Sequence, residues 1–539
     1  MEQWTQVYDP AGSLVLSSLS AAAPLFLLFY LLAVRRTAGY QAAGLGCLAA
    51  FVLAVGLWRM PPSLALSSIF MGLGFGLFPI VWVVVAAVWI YNMTVESREF
   101  DKIRHSLASL TDDRRLQAIL IAFAFSAFLE GAAGFGTPVA IAAAMLAGLG
   151  FKPFYAAGIC LVANSAPAAF GAIGIPVIVS ADVAGLDVNH ISLLVGAHLS
   201  LISVLLPLWI CVILCGFKKS LEVWPALIVG GLGFSLIMYL TARFNGPALP
   251  DIVAGLGGTA VLVVLFKVWK PKNIWKFPDE EKTPVDPGRP GYSRLQILRA
   301  WSPYIILTAL VFICGHSDYK ALVSALELQI KWPGLHNLAV KTTPIVTGDL
   351  PYGAVFKINF PTAAGTAVFV GGLISSLLMP GYGLIKGLAC FGRTVFQLKR
   401  SILTICLVLG LAYLMNYSGM SSTLGLAFTH TGLLFPFFAP IIGWVGVFLT
   451  GSDTSANALF SSLQRTTAEA LGVDPNLMVA VNSSGGVTGK MISPQSISIS
   501  AAATNQSGRE GDLFRFALKH SLIMLLMICL LTFLQSRFG

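Results

Sequence analysis

Ten apolar runs punctuate the chain, at roughly 14–34, 39–57, 64–92, 191–215, 224–241, 252–268, 299–314, 362–379, 401–415 and 520–535. About 20 apolar residues in a helix cross the hydrocarbon core of a bilayer. Within that core every backbone polar group must be satisfied internally, so runs of this kind fold as helices packed on one another. The chain is therefore read as an all-α polytopic membrane protein of about 12–14 membrane segments.

The composition agrees with that reading. Of the 539 residues 56% are hydrophobic and 11% are charged, and mean hydropathy is +0.80. A soluble domain carries about 25% charged residues. A soluble enzyme, a disordered chain and a disulfide scaffold are all excluded. The net charge of +10 does not point to nucleic acid, because the basic residues stand in short groups beside apolar runs. The eight cysteines fall mostly within apolar runs and form no metal-binding spacing, so they read as small packing residues. No basic segment precedes the first apolar run, so no cleavable signal peptide is expected. No dinucleotide fingerprint, P-loop or HExxH motif occurs. Neither an enzyme activity nor a cofactor nor a metal is expected.

Basic residues also orient the chain. With the N-terminus outside, the inner loops collect 25 of the 34 Lys and Arg residues, including Arg35, Arg36, the stretch 98–115 and the stretch 386–400. This alternation works only if 116–150 and 430–472 each enter and leave on one side, as re-entrant hairpins. Both regions are broken by small and polar residues, SAFLEGAAGFGTP at 126–138 and FLTGSDTSAN at 448–457. Each is followed by an Asn-Ser interruption, ANSAP at 163–167 and VNSSGG at 481–486, within expected broken helices over 154–179 and 476–505. Hairpin then broken helix, twice and in opposite orientation, is the pattern of an inverted-repeat secondary transporter. The two halves, 1–268 and 299–539, flank a Pro-rich, charged linker at 269–298 that is expected in the cytoplasm. The stretch 315–361 fits no element.

Broken helices within a membrane are tolerated only where protein or a water-filled cavity covers them. Their exposed N–H groups attract a small carboxylate. Gly134 and Gly136, Asn164 and Ser165, Ser452, Asn482 and Ser483 are thus candidate substrate contacts, and a plain Gly/Ser packing interface is the competing reading. Three ionisable residues stand in the breaks: Glu130, Asp453 and Lys490. Charges at membrane depth are costly, which marks each as functional by default. Lys490 could meet a substrate carboxylate or neutralise an Asp. Glu130 follows the apolar string AFSAFL and is the preferred proton carrier. Asp453, among hydroxyl residues, is the second candidate and a natural partner for Lys490. His198 reads as a satisfied packing residue, and the aromatic strings FGLFPIVW and FPFF as packing or lipid-facing segments.

The same residues carry a resemblance. FLEGAAGFGTPVAIAAAMLAGLGFKP (128–153), NSAPAAFGAIGIPV (164–177), NYSGMSSTLGLAFTHTG (416–432), GVFLTGSDTSANALFSSLQ (446–464) and VNSSGGVTGKMISPQSISIS (481–500) resemble the L-lactate permease family. WTQVYDPAGS at the start and GPALPDI at 246–252 are similar too. Asn-Ser stands at 164–165 and 482–483 where the family has Asn-Thr. The resemblance implies a multi-pass symporter of the bacterial inner (plasma) membrane. It would move L-lactate, and related 2-hydroxymonocarboxylates such as D-lactate and glycolate, together with protons. It also implies an elevator-like movement of two opposed hairpins. Membrane lipid is the expected surrounding, nucleic acid is not a partner, and a homo-oligomer is left open. A sodium-coupled carboxylate symporter and an anion channel are the rival readings.

Overall fold

The computed structural model describes residues 3–35, 37–134, 136–277 and 292–538. Most of the linker expected at 269–298 lies outside them. The described residues are mostly helical. Twelve helical stretches among the described residues are long and apolar enough to cross a membrane. The run at 299–314 belongs to a longer helix, Arg294–Gly315, that begins with a Ser293–Gln296 capping box. The longest helix among the described residues, Gly383–Ser418, has 36 residues and would measure about 54 Å.

The all-α expectation needs a correction over the stretch 315–361. This region carries short strands. Leu328–Lys331 pairs antiparallel with Val355–Ile358. Ala339–Lys341 pairs antiparallel with Leu350–Pro351 and parallel with Trp4–Thr5 near the N-terminus. Strands of two to four residues are too short to show an alternating pattern in sequence. The N-terminal segment and this stretch therefore lie side by side.

The first interrupted region consists of helix Ser126–Ala132, a tip that includes Ala133, Gly134 and Gly136, and helix Thr137–Gly148. The second consists of helix Phe435–Thr450, a tip at Gly451–Ser452, and helix Asp453–Leu471. Gly451 takes a left-handed conformation (φ 72°), and the Ser452 hydroxyl accepts from Ser455 N–H, so one helix is stopped and the next is started.

The two broken helices differ from one another. Helix Pro153–Ala163 does end at Asn164, as expected. The second, Pro475–Lys490, runs unbroken through VNSSGG, and its interruption falls at residues 491–493, before helix Pro494–Ala503. The break expected at 481–486 is thus displaced. Its glycines serve packing instead. A Cβ on Gly443 would run into Asn482 O, one on Gly485 into Pro440 O, and one on Gly489 into Trp444 O. Missing side chains let helices Phe435–Thr450 and Pro475–Lys490 touch backbone to backbone, as small residues do between membrane helices.

The aromatic strings pack in part: Phe435 is buried, whereas Leu77 and Phe438 are exposed. Phe78 stacks on Phe360 at 6.2 Å, and Trp82 meets Phe369 at 5.1 Å. His198 is satisfied, with Nε2 2.7 Å from Gln535 Oε1 and Nδ1 3.4 Å from Ser484 Oγ.

This close approach makes a prediction. Gly443→Val and Gly489→Val force the backbones apart, at about 1–3 kcal/mol or more each. Both should lower the thermal midpoint of the purified protein in detergent. Gly56→Ala, where a Cβ meets nothing within 4 Å, should leave it unchanged.

Candidate functional site

Both tips and both interruptions open onto one cleft of about 410 Å³. That size is within the roughly 300–1,000 Å³ range of small-molecule sites. The first tip contributes Gly134 and Gly136, both at positive φ (61° and 79°). A side chain on Gly136 would meet Ile499 Cδ1 at 2.7 Å. The interruption after Asn164 continues as a 3₁₀ turn, Pro167–Phe170, and then as three left-handed residues, Ala172, Ile173 and Gly174 (φ 46°, 61° and 72°). For a β-branched residue such as Ile173 this conformation is strained, at a cost of order 1–3 kcal/mol. Such strain is held only where packing over-determines it. Here the turn is buried, and a Cβ on Gly174 would collide with Pro247 O.

The charges are arranged across the two halves. Lys490 Nζ lies 2.6 Å from Glu130 Oε1, with side chains only 10% and 2% exposed. Asn164 Nδ2 donates to Glu130 Oε2 at 2.8 Å. Room for this carboxylate is left by Gly171, where a Cβ would come within 2.6 Å of Glu130 Oε1. Lys490 therefore pairs with Glu130 and not with Asp453, which corrects the expected partnership. The two tips approach from different sequence regions, and Lys490 sits at the end of its helix, where the displaced break leaves it facing the first tip.

Asp453 makes no direct ion pair among the described residues, although Lys490 acts on it electrostatically across the cleft. Its Oδ2 accepts from Ser483 Oγ at 2.5 Å and from Asn457 Nδ2 at 3.4 Å. Its Oδ1 is buried without a hydrogen-bond partner and rests against Gly486, where a Cβ would come within 2.6 Å.

The candidates from sequence thus divide into two layers. Glu130, Gly134, Gly136, Ser452, Asp453 and Lys490 line the cleft. Asn164, Ser165, Asn482 and Ser483 lie behind it. Asn164 and Ser483 hold the two carboxylates. Ser165 Oγ donates to Val162 O, and Asn482 bonds Asn457 Oδ1 at 2.8 Å and Gln464 Nε2 at 3.2 Å.

Sequence reasoning missed Asn457, Gln464 and Asp251. Asn457 ties the second tip to the first broken helix by donating to Pro176 O at 3.1 Å. Asp251 begins helix Pro250–Val268, is 1% exposed, and has both carboxylate oxygens without a partner among the described residues. It feels Glu130 and Lys490 electrostatically. An acidic residue at the very start of an apolar run was the available signal for it.

A bundle of this kind, with a carboxylate–ammonium pair buried in a cleft between interrupted helices, is a membrane transport protein of the permease class. More specifically, the chain belongs to the L-lactate permease family, whose model matches residues 17–539. It is 47% identical to the L-lactate permease of Bacillus subtilis, over 99% of this chain and 98% of that protein. It is 46% identical to the glycolate permease of Escherichia coli, again over 99% and 98%. Among solved structures it is similar to the YdaH transporter of Alcanivorax borkumensis, at 13% identity and a TM-score of 0.46, covering 88% of each chain. The family and the 12 candidate spans make it a multi-pass protein of the bacterial inner membrane.

The buried pair makes a prediction. Removing one partner of a buried ion pair strands the other charge, at about 3–5 kcal/mol. Glu130→Gln and Lys490→Met should each lower the melting temperature in detergent markedly. The double variant should recover part of the loss, because no charge is then left alone.

Proposed function

We propose that the chain carries L-lactate and glycolate, and other small 2-hydroxymonocarboxylates such as D-lactate, by symport with protons, and that the cleft is the substrate site. The two tips are read as re-entrant hairpins of an inverted repeat, entering from opposite faces, with the N-terminus outside. On that reading the cleft reaches toward the inner face, because Thr37, Tyr40 and Arg400, beside the basic inner loops, are among its lining residues.

One observation carries the coupling. The buried wall of the cleft holds two carboxylates, Glu130 and Asp453, and one ammonium, Lys490. With all three ionised the wall has one net negative charge and repels an incoming carboxylate. A proton on Asp453 cancels that charge. Lys490 can then turn one of its three N–H donors to the substrate while still paired with Glu130. Backbone N–H groups at the helix start after Ser452 add weaker attraction for the anion. Proton binding thus precedes and permits substrate binding. Anion and proton move as a neutral unit, so the membrane potential neither drives nor opposes the crossing.

The ion pair reverses the preference for Glu130 as carrier. Its charge is matched by Lys490 in direct contact, whereas among the described residues Asp453 has no ion-pair partner and one oxygen without a hydrogen bond. Asn164 and Ser483 act through the two carboxylates.

Proteoliposomes with imposed gradients test this reading. Wild-type protein should accumulate lactate under an inward pH gradient without sodium, and should show counterflow. Asp453→Asn should lose accumulation and retain lactate exchange. Accumulation by Asp453→Asn with wild-type pH dependence would return the carrier role to Glu130. A strict sodium requirement would favour the sodium-coupled reading, and absence of counterflow a channel.

A further inference from the structure

A second cavity, of about 280 Å³, lies at the far end of three helices that wall the cleft. Helix Gly171–Ala184 gives Pro176 to the cleft and Asp182 to this cavity. Helix Gly383–Ser418 gives Thr404 to the cleft, and Tyr413 and Tyr417 to the cavity. Helix Asp453–Leu471 gives Asp453 to the cleft and Arg465 to the cavity. Offsets of 6 to 13 residues along these helices separate the two by roughly 9–20 Å. The wall between them is closed by Ser180 Oγ and Ser461 Oγ, 3.0 Å apart, and by the Asn457 bond to Pro176 O. The fourth side of the cavity is the strand layer, which contributes Lys341 and Tyr352.

The polar groups here are unevenly satisfied. Tyr413 Oη donates to Asp182 Oδ2 at 2.7 Å. Arg465 Nε donates to Glu469 Oε1 at 2.7 Å, and its Nη1 donates to Ala184 O at 2.6 Å. Arg465 Nη2 and Lys341 Nζ have no hydrogen-bond or ion-pair partner among the described residues. Lys341 Nζ lies over the Tyr352 ring, 3.8 Å from its centre, and Tyr352 stacks on Tyr417 at 4.2 Å. A partly buried ammonium and the free edge of a guanidinium thus face one small cavity, with an aromatic pair as its floor. A carboxylate satisfies both donors, and the rings accept a short carbon chain.

We propose that this cavity is a second binding site for a small monocarboxylate, on the face opposite the cleft, where the anion docks before the Ser180–Ser461 wall opens. The identity of the anion as a lactate-like acid rests on the transport reading above. Lys341 is the determining residue. Burial, and next the neighbouring Arg465, push its ammonium down to about 8, against a smaller opposing effect of Glu469. Arg465 and Glu469 face it from helix Asp453–Leu471, Asp182 from Gly171–Ala184, Tyr413 and Tyr417 from Gly383–Ser418, and Tyr352 from the strand layer. The charge is present at pH 7 and lost as pH rises through about 8, so docking weakens above that pH.

The test uses the full chain with Lys341→Met and Lys341→Arg. Equilibrium binding of labelled L-lactate to detergent-purified protein at pH 7 should count two sites in wild type and in Lys341→Arg, and one in Lys341→Met. In oriented proteoliposomes with equal pH on both sides, Lys341→Met should raise the half-saturating lactate concentration about tenfold from the strand-layer face, the cost of one charge-assisted hydrogen bond. The value from the opposite face should not change. At pH 9, where loss of the transported proton weakens uptake in every variant alike, the gap between wild type and Lys341→Met should close, and Lys341→Arg should keep a lower half-saturating concentration than both. Equal stoichiometry in wild type and Lys341→Met, or an equal change from both faces, overturns the proposal. A wild-type protein that exchanges no lactate overturns the transport reading instead, and the Lys341 site is then decided by the binding stoichiometry.

Discussion

A charge buried at membrane depth must find its opposite or be neutralised, and in this chain that constraint joins the two halves. Glu130 and Lys490 are 360 residues apart in sequence and 2.6 Å apart in space. Neither charge could remain in place without the other, so the first tip and the end of helix Pro475–Lys490 have to meet. Asn164 fixes the second oxygen of Glu130, which ties the first broken helix to the same point. The cleft is what remains around that junction once the helices have turned aside from it.

Close backbone packing makes the junction possible. Glycines at 443, 485 and 489 bring two helices of the second half together, and Gly171 makes room for the Glu130 carboxylate. The strained turn at Ala172–Gly174 aims backbone into the cleft at a cost that the surrounding packing offsets. The imbalance that results, two acids to one base on the buried wall, is what the proposed proton coupling rests on. On that proposal an anion is unwelcome until a proton has arrived.

Much of this was legible in the sequence, because hydrocarbon imposes a strict rule on every apolar run. The runs located helices, and the Gly- and Ser-rich interruptions located both tips. Glu130, Asp453 and Lys490 stood out because charges are rare at that depth. The pairing between them was not legible, since it depends on which way each tip faces. The interruption expected at VNSSGG falls some eight residues later, because glycine signals close helix packing as well as helix breaking, and composition does not distinguish the two. Asn457 and Gln464 lie on a helix whose polar face reads as an exposed surface, although both are buried against neighbouring helices. The strand layer was missed because its strands are short and its pairing partner, Trp4–Thr5, is more than 300 residues away.

The central claim is that substrate occupies the cleft between the two tips, and thiol labelling tests it directly. Thr454 lines the cleft beside Asp453 and is partly exposed to it. A cysteine placed at Thr454, on a background with the native cysteines replaced, should react with a small maleimide in the purified protein. Saturating L-lactate should slow that reaction several-fold, and glycerol, of similar size but without a carboxylate, should not. A labelling rate indifferent to lactate would contradict the account.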